Sequence, residues 1–264
     1  MTKKNKRHYY IDLIRGIAFI LMMIYHFIYD IAEVFYGYWA KYFSSDFYLN
    51  IIARFLRAIN GTDITKYLRL ILIACIFLFI SGISSILSKN IFKRGIKLFA
   101  IAMALTLGTM LISIIMQIRY IVIYFGILHC LSICMILTPL FKKTNRIVLL
   151  GVAIIIISLG IYFDINPNNR IYVNTWVLTP LYITSRGFYS ADYYPLIPYM
   201  GFYLLGYIFG DWYFNIKKKP KRTKKYNENI LTYFGKNTLV WYFIHQIVLI
   251  VFLIIFTLIN LIFV

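Results

Sequence analysis

Asp12-Leu13-Ile14-Arg15-Gly16-Ile17-Ala18-Phe19-Ile20-Leu21-Met22-Met23-Ile24-Tyr25-His26-Phe27-Ile28-Tyr29-Asp30 decides how this chain is read. The stretch is long and apolar enough to cross a bilayer, yet it carries Asp12, Arg15, His26 and Asp30. Ionisable groups at membrane depth are costly and mark a functional interior. At about 100° per residue, Asp12, Arg15, His26, Asp30 and Glu33 fall within roughly 60° of one helix face. Arg15 and His26 are separated along the axis by about 16 Å, roughly half the hydrocarbon thickness. A permanent cation near one surface and a titratable base deeper in suit a molecule that reaches into the membrane to be worked on.

Working outward, the rest of the chain has the same character. Of its 264 residues 61% are hydrophobic and 14% charged, with mean hydropathy +0.76. That composition predicts an all-α polytopic membrane protein. Seven spans can be laid out: 9–36, 67–88, 94–116, 120–141, 146–163, 193–214 and 237–262. The first is too long and too charged for a cleavable signal peptide, and no small-residue cleavage site follows it.

The net charge of +19 could suggest nucleic acid. However, most of the 28 lysines and arginines fall in four clusters, Lys3–Arg7, Lys89–Lys97, Lys142–Arg146 and Lys217–Lys236. These lie at alternate ends of the apolar segments, as topology determinants do, and they attract anionic lipid rather than nucleic acid. They put the N-terminus in the cytoplasm and the C-terminus outside. The chain then reads as one integral domain over 1–264, with a basic tail at 1–8, a basic cytoplasmic loop at 215–236 and large outer loops at 37–66 and 164–192. Residues 47–57 pattern as a short interfacial helix with Arg54 and Arg57 on its polar side. Cys130 and Cys134 beside His129 imitate a metal site but lack a fourth ligand nearby in sequence, so no metal is expected.

His26 is the leading candidate for a general base, since a free imidazole titrates near pH 6.5. Asp30, one turn on, could hold its tautomer and stabilise the imidazolium. Arg15 suits an anionic or carbonyl-bearing ligand, while with Asp12 it also forms an i, i+3 pair at the membrane edge. His129, His245 and Gln246 either line the same cavity or bond between helices. Ser81-Gly82-Ile83-Ser84-Ser85 offers hydroxyls, and equally the small side chains of close helix packing.

These pieces have a familiar order. Arg15 followed by His26 matches the arginine–histidine pattern of membrane-bound acyltransferases that acylate extracytoplasmic sugars. More closely, the chain resembles the bacterial branch of the heparan-alpha-glucosaminide N-acetyltransferase catalytic-domain family. The stretches that carry the resemblance are Asp12–Gly16, His26–Asp30, Phe79–Ser84, Phe125–His129, Asp192–Pro198 and Tyr242–Gln246.

The resemblance implies a helical bundle that holds the thioester of acetyl-CoA, or another short acyl-CoA, in the membrane. The acyl group would pass to an amine or hydroxyl of a sugar or glycan outside the cell membrane. His26 and Asp30 would be catalytic. Arg15, Lys93, Arg94 and Lys97 would receive the phosphates and pantetheine. Asp12, Ser81, Ser84, His129, Asp192, His245 and Gln246 would line the cavity, and a homo-oligomer is compatible. Lysosomal members carry asparagine at the position of His26 and a histidine at that of Gly37, so the role of His26 is carried over from the sugar O-acyltransferase pattern. The rival readings are a proton-coupled transporter and a seven-helix receptor or scaffold. The odd span number and the lack of an internal repeat argue against the transporter.

Overall fold

The structure is a computed structural model that describes residues 8–62, 74–117, 121–173, 175, 177–216 and 228–262. These residues are mostly helical, with isolated bridges at Phe125–Tyr193 and Tyr172–Thr184. In chain order the helices are α1 (Tyr9–Tyr29), α2 (Tyr36–Tyr42), α3 (Tyr48–Asn60), α4 (Ile76–Ser85), α5 (Ile91–Met116), α6 (Ile127–Phe141), α7 (Arg146–Ile165), α8 (Leu196–Asp211), α9 (Ile230–Lys236) and α10 (Thr238–Ile262). π-helical turns at Asp30–Phe35 and Trp212–Ile216 extend α1 into α2 and continue α8.

Among the described residues four helices are long and apolar enough to cross a membrane: Tyr9–Tyr42, Ile91–Ile115, Arg146–Ile165 and Thr238–Ile262. This is the composition of a membrane protein. The other expected spans are shorter or partly outside the described residues. Span 67–88 is described only from residue 74, with α4 over its last turns. Span 120–141 becomes helical at Ile127, because the residues before it pair with the segment leading into α8: Ala191 N–H donates to Val122 O and Tyr194 N–H to Phe125 O. The expected loop 215–236 holds α9 in its last part. An Asn229–Thr232 capping box starts that helix, each side chain accepting from the other's backbone N–H at 2.8 Å.

The chain forms two compact units, one drawn from Met1–Ile76 and Arg222–Val264, the other from Phe77–Lys221.

In the first unit α1 packs on α9 and on α10. The α1–α9 crossing is close enough that a Cβ on Gly16 would overlap the Leu231 carbonyl, and one on Gly235 the Asp12 carbonyl. Only glycine permits that approach. Further along, Trp39, Phe35, Leu49, Ala53 and Leu253 form a buried core. There Trp39 Nε1 donates to Thr257 Oγ1 at 2.8 Å. Asn50 closes the end of α2, its amide donating to the carbonyls of Trp39, Phe43 and Ser44. Helix C-termini leave such carbonyls open, and a buried end needs partners for them.

In the second unit α5 pairs with α6 and α7 with α8. A Cβ on Gly82 of α4 would overlap the Tyr203 carbonyl of α8, and one on Gly206 the Phe79 carbonyl. The small-residue run of α4 is therefore a backbone contact surface. Beside it Tyr203 OH and Thr138 Oγ1 share a buried hydrogen bond of 2.8 Å.

Candidate active site

The first unit collects Asp12, Arg15, His26, Asp30, His245 and Gln246. Near its start α1 carries the Arg15–Asp12 pair, Nη1 to Oδ1 3.7 Å, with the Asp12 side chain almost fully buried. About three turns beyond Arg15 the helix is still regular, and His26 Nδ1 lies 2.9 Å from Met22 O. A carbonyl oxygen can only accept, so Nδ1 bears the hydrogen and Nε2 bears the basic lone pair. His245 repeats the arrangement on α10, its Nδ1 3.0 Å from Trp241 O. The two rings meet edge to face, centroids 5.1 Å apart and planes at 78°.

Just past His26 the helix widens into the π turn. A turn of that kind holds an extra residue and shifts the phase of everything after it. Asp30, 1% exposed, accepts from the Gln246 amide on both carboxylate oxygens, 3.0 Å each. The Nδ1–H of His26 is held by the Met22 carbonyl. Asp30 ties α1 to α10 one turn from where the two imidazoles meet.

Glu33, placed on the stripe by a regular helical wheel, is turned toward α3. It lies 3.8 Å from Arg57 Nε and accepts from Asn60. Arg57 also stacks over Tyr36 at 4.7 Å, and Arg54 donates to Ser45 O. Both arginines therefore fasten α3.

Two atoms of this site are buried without a hydrogen-bond partner: His245 Nε2 and Gln246 Oε1. Leaving one such acceptor unmet costs about 1–3 kcal/mol. Such atoms are few in native interiors, and each calls for a partner or a role.

The second unit holds Ser81, Ser84, Lys93, Arg94, Lys97, His129 and Asp192. His129 is 1% exposed, and both its nitrogens are occupied. Nδ1 accepts from Gly126 N–H at 3.2 Å, which puts the ring hydrogen on Nε2, 3.1 Å from Thr106 Oγ1. The Thr106 hydroxyl in turn donates to Ile123 O. Asp192 Oδ2 accepts from Ile127 N–H at 3.0 Å, capping the first turn of α6. Ser81 and Ser84 bond back to Phe77 O and Ile80 O of their own helix. Lys93, Arg94 and Lys97 are exposed at the start of α5, where Arg94 reaches Ser88 Oγ.

The loop after α7 is tied by Asp164, which accepts from Arg170 at 3.0 Å and from Tyr182 OH. Burial, then the neighbouring Asp164 carboxylate, pushes the Tyr182 phenol above its ordinary pKa. Tyr193 OH donates to Thr179 O in the same loop, and Tyr189 is exposed.

With this geometry in place, comparison with protein families decides the relationship. The model for the catalytic part of heparan-alpha-glucosaminide N-acetyltransferase matches residues 7–59 and 47–247. The chain belongs to that family. No curated protein and no solved structure matches the chain. The heparan-alpha-glucosaminide N-acetyltransferase match runs through both units, from Arg7 past Gln246. It makes this a membrane acetyltransferase-like protein.

Sequence reasoning found the ionisable groups of the first unit but missed what organises them. The Met22 and Trp241 carbonyls carry no side-chain signal. Gly235, which admits α1, could have been picked out as a glycine inside a short helix flanked by polar caps.

Proposed function

We propose that the protein moves an acetyl or other short acyl group from cytoplasmic acyl-CoA to an amine or hydroxyl of an extracytoplasmic sugar or glycan. The observation that carries this reading is the pair of imidazoles in the first unit, with His26 held as the Nδ1–H tautomer and its Nε2 lone pair basic. Family membership supports acetyl transfer. Arg15, about three turns toward the N-terminus, is the proposed partner of the anionic end of acyl-CoA. Lys93, Arg94 and Lys97 are candidates for its phosphates on charge alone.

In the proposed reaction His26 Nε2 takes the proton from the acceptor N–H or O–H. The acceptor heteroatom attacks the thioester carbonyl carbon, and the C–S bond breaks. The leaving thiolate recovers the proton from the imidazolium, so no charge is left behind. Asp30 acts as a positioning residue: through Gln246 it fixes α10, and with it His245, against α1. A seven-span arrangement with the N-terminus in the cytoplasm and the C-terminus outside completes the proposal, on the strength of the basic clusters.

Sealed vesicles test it. Inverted vesicles, with their cytoplasmic face outward, are expected to bind labelled acetyl-CoA, and right-side-out vesicles are not. Arg15→Ala should lose most of the binding. If no short acyl-CoA binds in either orientation, the acyltransferase reading gives way to the transporter.

A further inference from the structure

His245 and Gln246 stand side by side on α10 and present the same polarity. His245 commits its Nδ1–H to Trp241 O, which leaves Nε2 as a lone pair. Gln246 commits its amide N–H to Asp30, which leaves Oε1. The amide cannot be turned round, because Oε1 would then face two carboxylate oxygens. Neither Nε2 nor Oε1 has a partner among the described residues, and the His245 ring is 5% exposed.

These are two open acceptors carried by consecutive residues, on the helix that also holds the partner of Asp30. A thioester carbonyl set against these two atoms would meet lone pairs, which do not stabilise the oxyanion it develops. N–H or O–H hydrogens are what either atom can accept. The ring of His26 lies next to this pair, 5.1 Å from that of His245.

We propose that His245 and Gln246 form the subsite for the nucleophilic end of the acyl acceptor, which they hold by its hydrogens, and that the thioester lies elsewhere. The inference rests on the acyl-transfer reading and assigns two residues within it. Held by these two acceptors, the nucleophile is delivered to His26 with a hydrogen to spare for the base. His245 and Gln246 thus position the acceptor, and recognition depends on hydrogen-bond donors more than on charge.

Histidine-selective ¹⁵N NMR on the purified full chain tests this directly, since the protein has only four histidines. The probes are methylammonium and tetramethylammonium, equal in charge and different in N–H. Methylammonium is expected to move the His245 ring nitrogen signal by several parts per million. Tetramethylammonium should leave it in place, and neither should move His129, whose nitrogens are both engaged. His245→Phe assigns the signal, and His245→Gln, which restores an acceptor, should recover methylammonium binding. The contrast between the two probes in the wild-type chain needs no variant to fold. Equal responses to both probes would overturn the proposal, as would no response to either, which means bound water suffices. A His245 shift caused by acetyl-CoA alone would place the thioester there and overturn it too. Acetyl-CoA binding is followed in the same samples. Its failure beside an intact methylammonium response would sink the acyl-transfer reading and leave the subsite standing.

Discussion

His129 in the second unit receives the Gly126 N–H on one nitrogen and reaches Thr106 with the other. His245 in the first unit gives Nδ1–H to Trp241 and keeps Nε2 uncommitted. Both rings are buried, both sit in apolar helices, and each was an equal candidate from sequence. The difference is that one imidazole completes the start of a helix, while the other keeps a nitrogen without a partner. His129 occupies the third position of α6 and caps it, so removing it should cost stability. His26 and His245 are each anchored through Nδ1 to a carbonyl four residues back in an unbroken helix, which fixes the ring, and in His245 that spends only one nitrogen. Burial and charge alone do not separate these two designs; the count of committed nitrogens does.

The most severe test removes the proposed base. General-base catalysis is worth about 10²- to 10⁴-fold. His26→Ala is therefore expected to lower acyl transfer by at least that lower factor, measured as thiol release from acetyl-CoA. Expression and acetyl-CoA binding should stay near those of the wild type. A variant that keeps more than about a tenth of the rate cannot have lost a base of that worth, and the stripe on α1 would then be structural.

His129→Leu probes the other side of the comparison. It strips the Gly126 N–H of its acceptor and leaves Thr106 short of a partner, at a cost of about 1–3 kcal/mol. The thermal midpoint in detergent should fall, while the rate per folded molecule stays within about twofold, inside the range typical of a residue off the reaction path. The reverse pattern, an unchanged midpoint with lost activity, would make His129 the base and exchange the roles of the two units.

Much of this was legible in the sequence, for reasons the two histidines also illustrate. Apolar length announced the helices, because a bilayer demands about twenty such residues. The cost of burying charge singled out Arg15, His26 and Asp30. Glu33 went wrong because a wheel of 100° per residue cannot foresee the π turn at Asp30–Phe35. Nothing in the composition of that segment marks the extra residue. The commitments of His129, Asp192 and Gln246 were out of reach for another reason. Their partners are backbone groups or distant side chains, brought close only by packing.

The smallest expected effect comes from Ser81, one residue from a position that tolerates nothing. Ser81 Oγ donates to Phe77 O at 2.8 Å, four residues back in its own helix. A bond of that type satisfies the hydroxyl but does little for the helix, whose carbonyl is already used by the backbone. Alanine removes the hydroxyl together with its need for a partner and has the better helix propensity. Ser81→Ala is thus expected to shift stability by no more than about 0.5 kcal/mol and to leave acyl transfer within about twofold of wild type. Its neighbour Gly82 faces the Tyr203 carbonyl with no room for a methyl group. If Ser81→Ala instead abolished transfer without moving the thermal midpoint, its hydroxyl would be serving a ligand. The second unit would then hold an open polar group like those of the first, and the contrast between the units would fail at that residue.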